Sequence, residues 1–201
     1  MLRVGLTGGL ASGKTFVGEV LAGLGCLVIQ ADELGHAVLA PGGEAYEPVI
    51  QEFGRELLTG DGAIDRRALA ARVFADPARL EVLSSLVHPA VIRRENESLS
   101  AFAALHPDGI AVVEAAILIE TGSYSRFDKL ILVTCTEEQQ VERALRRDGA
   151  VESDIRARIN RQMPLAEKRK YADFVIDTSG KKEDTVRQTR AVYDVLRRIQ
   201  S

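Results

Sequence analysis

One glycine-rich stretch, residues 8–15 with the sequence GGLASGKT, restricts what this chain can fold into more than any other feature. It matches the phosphate-binding loop pattern G-x-x-x-x-G-K-[ST], in which successive backbone amides surround a phosphate group. Residues 3–7, with the sequence RVGLT, predict a short buried strand, and residues 16–24 repeat apolar side chains at helical spacing. This strand–turn–helix order predicts a binding site for the phosphates of a nucleotide.

The residue types inside the loop define its expected chemistry. Lys14 is expected to reach the β- and γ-phosphates, and the Thr15 hydroxyl is expected to ligate Mg²⁺. The helix that follows adds the positive end of its dipole. A glycine-rich turn without a ligand would explain neither of these two residues. We therefore predict that the nucleotide is contacted by Gly8, Ala11, Ser12, Gly13, Lys14, Thr15 and Phe16.

The composition of the chain argues against several other classes of protein. A length of 201 residues predicts one domain, and a net charge of −3 provides no basic field for nucleic acid. No apolar run is long enough to span a bilayer, and Met1 leads directly into the first strand, so we expect a cytosolic protein without a signal peptide. Cys26 and Cys135 fit no metal or redox spacing and are expected to be reduced core residues.

Apolar runs and helical patterns alternate along the chain. Four further runs predict buried strands at residues 26–29, 110–114, 130–134 and 174–177. Helical spacing predicts helices at residues 33–39, 137–147 and 183–199. Because strands and helices alternate, the chain is predicted to form an α/β fold whose parallel sheet is covered on both faces.

Two acidic residues follow or end predicted strands. Ligands of open α/β sheets bind beyond the carboxyl ends of the strands, so Asp32 is predicted to lie beside the phosphate loop. Asp32 could equally cap the helix at residues 33–39, and the two roles are compatible. Glu114, at the end of the third strand, could hold a water molecule on Mg²⁺ or could be a solvated charge.

Residues 41–105 have a different pattern from the rest of the chain. They show no convincing strand, and their spacing predicts helices at residues 45–53, 66–74, 77–87 and 89–105. We interpret them as an inserted substrate-binding lobe that can close, between core segments 1–40 and 106–201. His88 precedes Pro89 at the start of the last helix, where a cap, a packed turn and a functional role all remain open.

A basic stretch lies between residues 143 and 170. Nine lysines and arginines stand against four acidic residues there, in a chain that is acidic overall. Two predicted helices joined at Asp148-Gly149 carry this excess. Such a stretch is either a solvated helix face or an arginine-rich lid that closes on a triphosphate and excludes water, and we favour the lid.

With these residues collected, the chain resembles the dephospho-coenzyme A kinases over nearly its full length. The phosphate loop alone is shared by many kinases, whereas the ordered set of motifs is much more specific. The motifs are residues 5–15 (GLTGGLASGKT), 30–32 (QAD), 61–66 (DGAIDR) and 86–89 (LVHP), then Gln140 with Arg143 and Arg147, then Gln162 and residues 172–176 (ADFVI).

This resemblance implies a three-layer P-loop NTPase fold with five parallel strands. It also implies ATP-dependent phosphorylation of the ribose 3′-hydroxyl of dephospho-CoA, the last step of coenzyme A synthesis. Asp32 would orient or deprotonate that hydroxyl, Arg66 and His88 would contact the acceptor, and Arg143 and Arg147 would contact the ATP phosphates, Arg147 with a catalytic role. The partners would be ATP, Mg²⁺ and dephospho-CoA, without nucleic acid or membrane, in a monomer or weak homo-oligomer.

Several positions depart from the family pattern. Gln30 replaces an aspartate, Thr178 replaces an asparagine, residues 116–120 read AILIE in place of PLLFE, and Ala11 and Phe16 replace small or hydroxyl residues.

Three rival interpretations of the function remain open. The chain could be another small-molecule kinase of this fold, or a nucleotide-binding protein without catalysis. It could also be a GTP-binding switch, although it lacks Asn-Lys-x-Asp and an Asp-x-x-Gly after the third strand.

Overall fold

The computed structural model describes residues 1–74, 76–148 and 151–200. The chain forms two compact units, one of Met1–Gln30 with Ala101–Ser201 and the other of Ala31–Ser100. We call them the sheet unit and the helical unit, and we describe each by itself. Gly149, where the predicted lid turns, lies outside the described residues.

The sheet unit is built on five parallel strands. They are β1 (Leu2–Gly8), β2 (Leu27–Gln30), β3 (Ile110–Glu114), β4 (Lys129–Thr134) and β5 (Phe174–Asp177). Their order is β2-β3-β1-β4-β5, and every neighbouring pair is parallel. The predicted α/β fold with a parallel sheet is therefore confirmed. Because β1 is the central strand, the loop that follows it emerges in the middle of the carboxyl edge.

Helices occupy most of the remaining described chain. They are α1 (Lys14–Gly23), α2 (Ala31–Val38), α3 (Tyr46–Phe53), α4 (Arg66–Phe74), α5 (Pro77–Leu105), α6 (Glu137–Asp148), α7 (Glu152–Asn160), α8 (Leu165–Lys168) and α9 (Lys182–Gln200). Short 3₁₀ turns lie at Arg55–Leu57, Ser123–Arg126 and Arg169–Tyr171. Within these described residues, no helix combines the length and the apolar character needed to cross a membrane.

Both faces of the sheet are covered. On one face, strand side chains pack with side chains of α1 and α9 in one core, which includes Val4, Leu6, Val112, Ile131, Val17, Leu21 and Leu196. On the other face, Gly5 of β1 lies beneath Leu118 and Phe127, and each would stand 3.0 Å from a Cβ at residue 5. Burial on both faces explains why the strands are continuous apolar runs rather than alternating ones.

The helical unit has a separate apolar core. It combines side chains of α2, α3, α4 and α5, among them Val38, Val49, Phe53, Leu57, Leu69 and Val91. Because Val38 and Leu34 of α2 belong to this core, the unit spans Ala31–Ser100, whereas the sequence pattern placed the insertion at 41–105.

One helix, α5, replaces two predicted helices. The break expected before Pro89 is wrong, because Pro89 lies inside the continuous helix Pro77–Leu105. A proline in a helix removes one backbone hydrogen bond and crowds the preceding turn. Leu86 and Val87 before the proline and Ala90 and Val91 after it all pack into the same core. Tertiary packing on both sides therefore outweighs the local cost of the proline.

Both cysteines are free thiols. Cys26 is buried as expected, and burial raises the pKa of its thiol to about 11. Cys135 is only partly buried, so the expectation of a core residue holds for Cys26 alone.

Candidate nucleotide-binding site

The phosphate loop borders a cavity of about 300 Å³. Its lining comprises Ala11, Ser12, Gly13, Lys14, Thr15, Arg143 and Arg147, all of which the sequence predicted to contact the nucleotide. Of the predicted contacts, Gly8 and Phe16 are outside this lining, so far as the chain is described. Basic side chains of the loop and of α6 thus meet backbone amides at one concave surface, which can bind an anion.

Two glycines shape the turn for different reasons. Gly13 precedes α1 with φ of 92°, a conformation that favours glycine, and no side chain of the described chain caps this helix. Since the first amides of a helix lack intrahelical acceptors, the start of α1 can donate hydrogen bonds to an anion. Gly8 is instead required by space, because a Cβ there would collide with the Val133 carbonyl oxygen on β4.

The Lys14 side chain lies within the loop. Its Nζ donates to the Gly9 carbonyl at 2.9 Å and to the Gly8 carbonyl at 3.4 Å. The ammonium group is therefore held by neutral carbonyl dipoles, which phosphate oxygens can replace as stronger, charged acceptors.

Thr15 and Glu114 form a hydroxyl–carboxylate pair. Thr15 Oγ1 donates to Glu114 Oε1 at 3.0 Å. Glu114 is only 8% exposed, so the alternative of a solvated charge at the strand end is wrong. Mg²⁺ binds such oxygen atoms together with phosphate and water oxygens. Among the described residues, no group of three His, Cys, Asp or Glu side chains is placed so that it could hold a metal ion.

Thr178, which follows β5, connects α6 to the phosphate loop. Its Oγ1 donates to the Ser12 carbonyl at 2.7 Å and accepts a hydrogen bond from Arg143 Nη1 at 2.9 Å. Arg143 Nη2 also donates to the Thr178 carbonyl at 2.6 Å. From the sequence, Thr178 was identified only as a departure from the family pattern. Its position directly after a predicted strand is the sequence feature that could have indicated that it belongs to the site.

The basic side chains of the predicted lid do not form one charged surface. Arg143 and Arg147 line the cavity, whereas Arg146 and Arg156 form ion pairs on exposed helix surfaces with Glu142 and Glu152. Exposed pairs of this kind contribute about 0–1 kcal/mol to stability. The stretch is therefore partly a solvated helix face and partly the wall of the cavity.

Lys168 of the same stretch is fully buried. Its Nζ donates to the Ala116 carbonyl at 2.7 Å and pairs with Glu120 Oε1 at 2.8 Å. Glu120 Oε1 also accepts the amide of Met163 at 3.1 Å. A lysine counted as part of a basic surface thus joins α8 to the segment after β3, and nothing in its sequence neighbourhood distinguished it from the exposed lysines.

The predicted acceptor-binding residues belong to the helical unit, where all three are exposed. Asp32 is the second residue of α2, so the alternative of an N-cap residue is wrong. Arg66 begins α4, whose next two amides are capped by Asp65 Oδ1 at 2.9 and 3.0 Å. His88 lies in the interior of α5, so it neither caps a helix nor forms a turn.

Sequence comparisons give a consistent result. The dephospho-CoA kinase family model matches residues 2–184. Dephospho-CoA kinase of Aquifex aeolicus is 41% identical over 198 residues, which is 98% of this chain and 99% of that protein. Dephospho-CoA kinase of Mycobacterium tuberculosis is 38% identical over 96% of this chain, which spans 47% of that longer protein.

Solved structures agree with the fold. The crystal structure of TT1252 from Thermus thermophilus has a TM-score of 0.83 and 35% identity, with 97% of each chain covered. Dephospho-CoA kinase from Campylobacter jejuni has a TM-score of 0.71 over 99% of this chain and 98% of that one. Its identity is 24%, so this second likeness supports the fold alone.

A parallel sheet with the phosphate loop at its centre, and arginines from a later helix beside that loop, defines a P-loop kinase. The match of the family model over residues 2–184 narrows this class of protein to one family. The chain belongs to the dephospho-CoA kinase family, as the sequence motifs predicted. It phosphorylates dephospho-CoA with ATP as the co-substrate, in coenzyme A biosynthesis.

Proposed function

We propose that the cavity beside the phosphate loop binds the triphosphate of ATP and is where the γ-phosphoryl group leaves it. The observation that carries this proposal is the common lining by Lys14, Arg143, Arg147 and the loop residues. Transfer of a phosphoryl group depends mostly on positioning and charge stabilisation, which such a group of cations and amides supplies. Lys14 and the two arginines would share the charge of the γ-phosphate oxygens.

Mg²⁺ is proposed to bind at Thr15 and Glu114. The support is the 3.0 Å hydrogen bond between the Thr15 hydroxyl and the Glu114 carboxylate, which already places two suitable oxygen atoms side by side. When bound, the ion would neutralise charge on the phosphate oxygens. Glu114 is proposed to act through a water molecule or by orienting Thr15.

Asp32 is proposed to orient or deprotonate the acceptor hydroxyl. Support comes from its position in the chain, two residues after Gln30. Gln30 is the last residue of β2 and lies opposite Glu114 of β3 in the strand register. The 3′-oxygen of dephospho-CoA would bond to the γ-phosphorus while the bond from that phosphorus to the β,γ-bridging oxygen breaks. ADP keeps the electron pair, and the hydroxyl proton passes to the carboxylate or to solvent.

The remaining assignments concern the acceptor lobe, the lid and the setting of the reaction. We propose that the helical unit binds dephospho-CoA with Arg66 and His88, and that residues 143–170 form a lid. The cytoplasm is the proposed location, since the reaction consumes ATP, and the proposed partners are small molecules. The proposed oligomeric state is a monomer or a weak homo-oligomer.

A coupled ADP-release assay tests the proposal directly. Dephospho-CoA is compared with a nucleoside monophosphate and a hydroxylated metabolite, each with ATP and Mg²⁺. We expect turnover with dephospho-CoA, and loss of that turnover when Mg²⁺ is chelated. Binding of ATP without ADP release would favour the rival interpretation of a nucleotide-binding protein without catalysis, which the replacement of the family aspartate by Gln30 suggested.

A further inference from the structure

Two glutamine side chains bind the backbone of a single phosphate-loop residue, Leu10, one at its amide and one at its carbonyl. The Leu10 amide donates to Gln162 Oε1 at 2.9 Å, and the Leu10 carbonyl accepts from Gln140 Nε2 at 2.7 Å. Gln140 lies in α6 and is 4% exposed, and Gln162 follows α7 and is partly buried. We call these two side chains the glutamine clamp.

Apolar packing holds the same loop residue. The Leu10 side chain is 8% exposed and packs with Val141 and Ala144 of α6 and with Ile155 of α7. Its side chain and both polar groups of its backbone are therefore held by the same region of the chain. This apex of the loop has little freedom to move independently of α6 and α7.

The next residue has an unfavourable backbone conformation. Ala11 has φ of 51°, and among the residues that the structure describes it is the one non-glycine residue with positive φ. Residues with a Cβ avoid this region, and such strain persists only where the surroundings impose it. Because Leu10 immediately precedes Ala11, the glutamine clamp acts next to the strained torsion angle.

Gly9 provides an independent sign of how closely the clamp fits the loop. A Cβ at residue 9 would collide with Nε2 of Gln140. The pattern G-x-x-x-x-G-K-[ST] leaves this position open, so the motif does not require a glycine there. The absence of a side chain at Gly9 leaves the space that the Gln140 amide occupies.

We propose that Gln140 and Gln162 are positioning residues that keep the turn at Leu10 and Ala11 in the conformation that ATP requires. This inference rests on the proposed binding of ATP in the loop cavity. Within the described chain, the lining of that cavity includes Ala11 and neither glutamine, so the clamp acts through the loop. Without the clamp, Ala11 relaxes toward negative φ, and the apparent affinity for ATP falls with the fraction of molecules that keep the competent loop.

Replacement of each glutamine by leucine tests the proposal, because leucine has similar size and lacks the amide. Titration calorimetry should show ATP binding weakened about tenfold in Gln140→Leu and in Gln162→Leu, since each leaves one polar group of Leu10 without its partner. Gln139→Leu is the matched control. Gln139 is adjacent on α6 and donates to the Ser179 carbonyl at 2.8 Å, so its replacement should change ATP affinity less than about twofold.

Ala11→Gly separates positioning from general stabilisation. Glycine adopts positive φ without strain, so in the Ala11→Gly background we expect Gln140→Leu to weaken ATP binding no more than about threefold. Thermal unfolding of each variant shows whether it is folded. If Gln140→Leu does not fold, the partly buried Gln162→Leu replaces it in the same comparison.

Two results would overturn the proposal. One is an equal loss of ATP affinity in the wild-type and Ala11→Gly backgrounds, and the other is a tenfold loss in Gln139→Leu as well. Failure of the unaltered chain to bind ATP would instead overturn the assignment of ATP to the loop cavity, so the two failures are distinct.

Discussion

The sheet unit and the helical unit hold their predicted functional residues in different ways. In the sheet unit, the loop and α6 residues line one cavity, and hydrogen bonds between these residues and Thr178 and Glu114 fix their positions. In the helical unit, Asp32, Arg66 and His88 lie on three different helices and are exposed. Side chains that protein groups already hold, such as Lys14 and Arg143, are in place before a ligand arrives, whereas exposed side chains leave their ordering to the ligand.

The largest expected effect tests the sheet unit. Lys14→Ala removes the cation nearest the loop carbonyls, and we expect turnover to fall at least about a thousandfold, as for loss of a central charge-stabilising group. Steady-state ADP release measures it, with circular dichroism to show that the fold is unchanged. Lys181→Ala, at an exposed lysine, is the control. Near-normal turnover of Lys14→Ala would refute its assigned role.

The next effect concerns the helical unit. Asp32→Asn keeps the shape of the side chain and removes its charge, so we expect kcat to fall about a hundredfold while the Kd for ATP stays the same. Kinetics with saturating dephospho-CoA, and calorimetry with ATP alone, separate the two quantities. Equal changes in kcat and in ATP affinity would mean that Asp32 only binds, and the contrast between the units would disappear.

A smaller effect tests whether Thr178 fixes Arg143. Thr178→Val keeps the volume and removes the hydroxyl that contacts Ser12 and Arg143, so we expect the KM for ATP to rise about fivefold. Thr178→Ser keeps the hydroxyl and should stay within about twofold of the unaltered enzyme. Indistinguishable kinetics for the valine and serine variants would show that the Thr178 carbonyl alone positions the arginine.

The smallest effect concerns the architecture of the helical unit. Because Pro89 lies inside α5, Pro89→Ala restores a backbone donor in a continuous helix, and we expect the free energy of unfolding to rise by about 1 kcal/mol. Urea denaturation measures this change. Ala78→Gly, near the start of α5, is the control in which the free energy of unfolding should change in the opposite direction. A loss of stability in Pro89→Ala would argue that the helix is broken at His88.

Much of the fold was predictable because it follows from local patterns. The five apolar runs became the five strands, and the phosphate loop lies between β1 and α1 as expected. The break at Pro89 was wrong because the local cost of proline was weighed without the core contacts of Leu86, Val87, Ala90 and Val91. The roles of Asp32, Arg66 and His88 stay predictions.

By itself, the sequence determined the phosphate loop, the alternation of strands and helices, and the family to which the chain belongs. These features depend on residues that are neighbours along the chain, so their spacing is visible in one dimension. Only the tertiary structure decided what holds the loop, because its partners are distant in sequence. Gln140, Gln162 and Thr178 lie 130, 152 and 166 residues from the loop groups they bind, and folding alone brings them together.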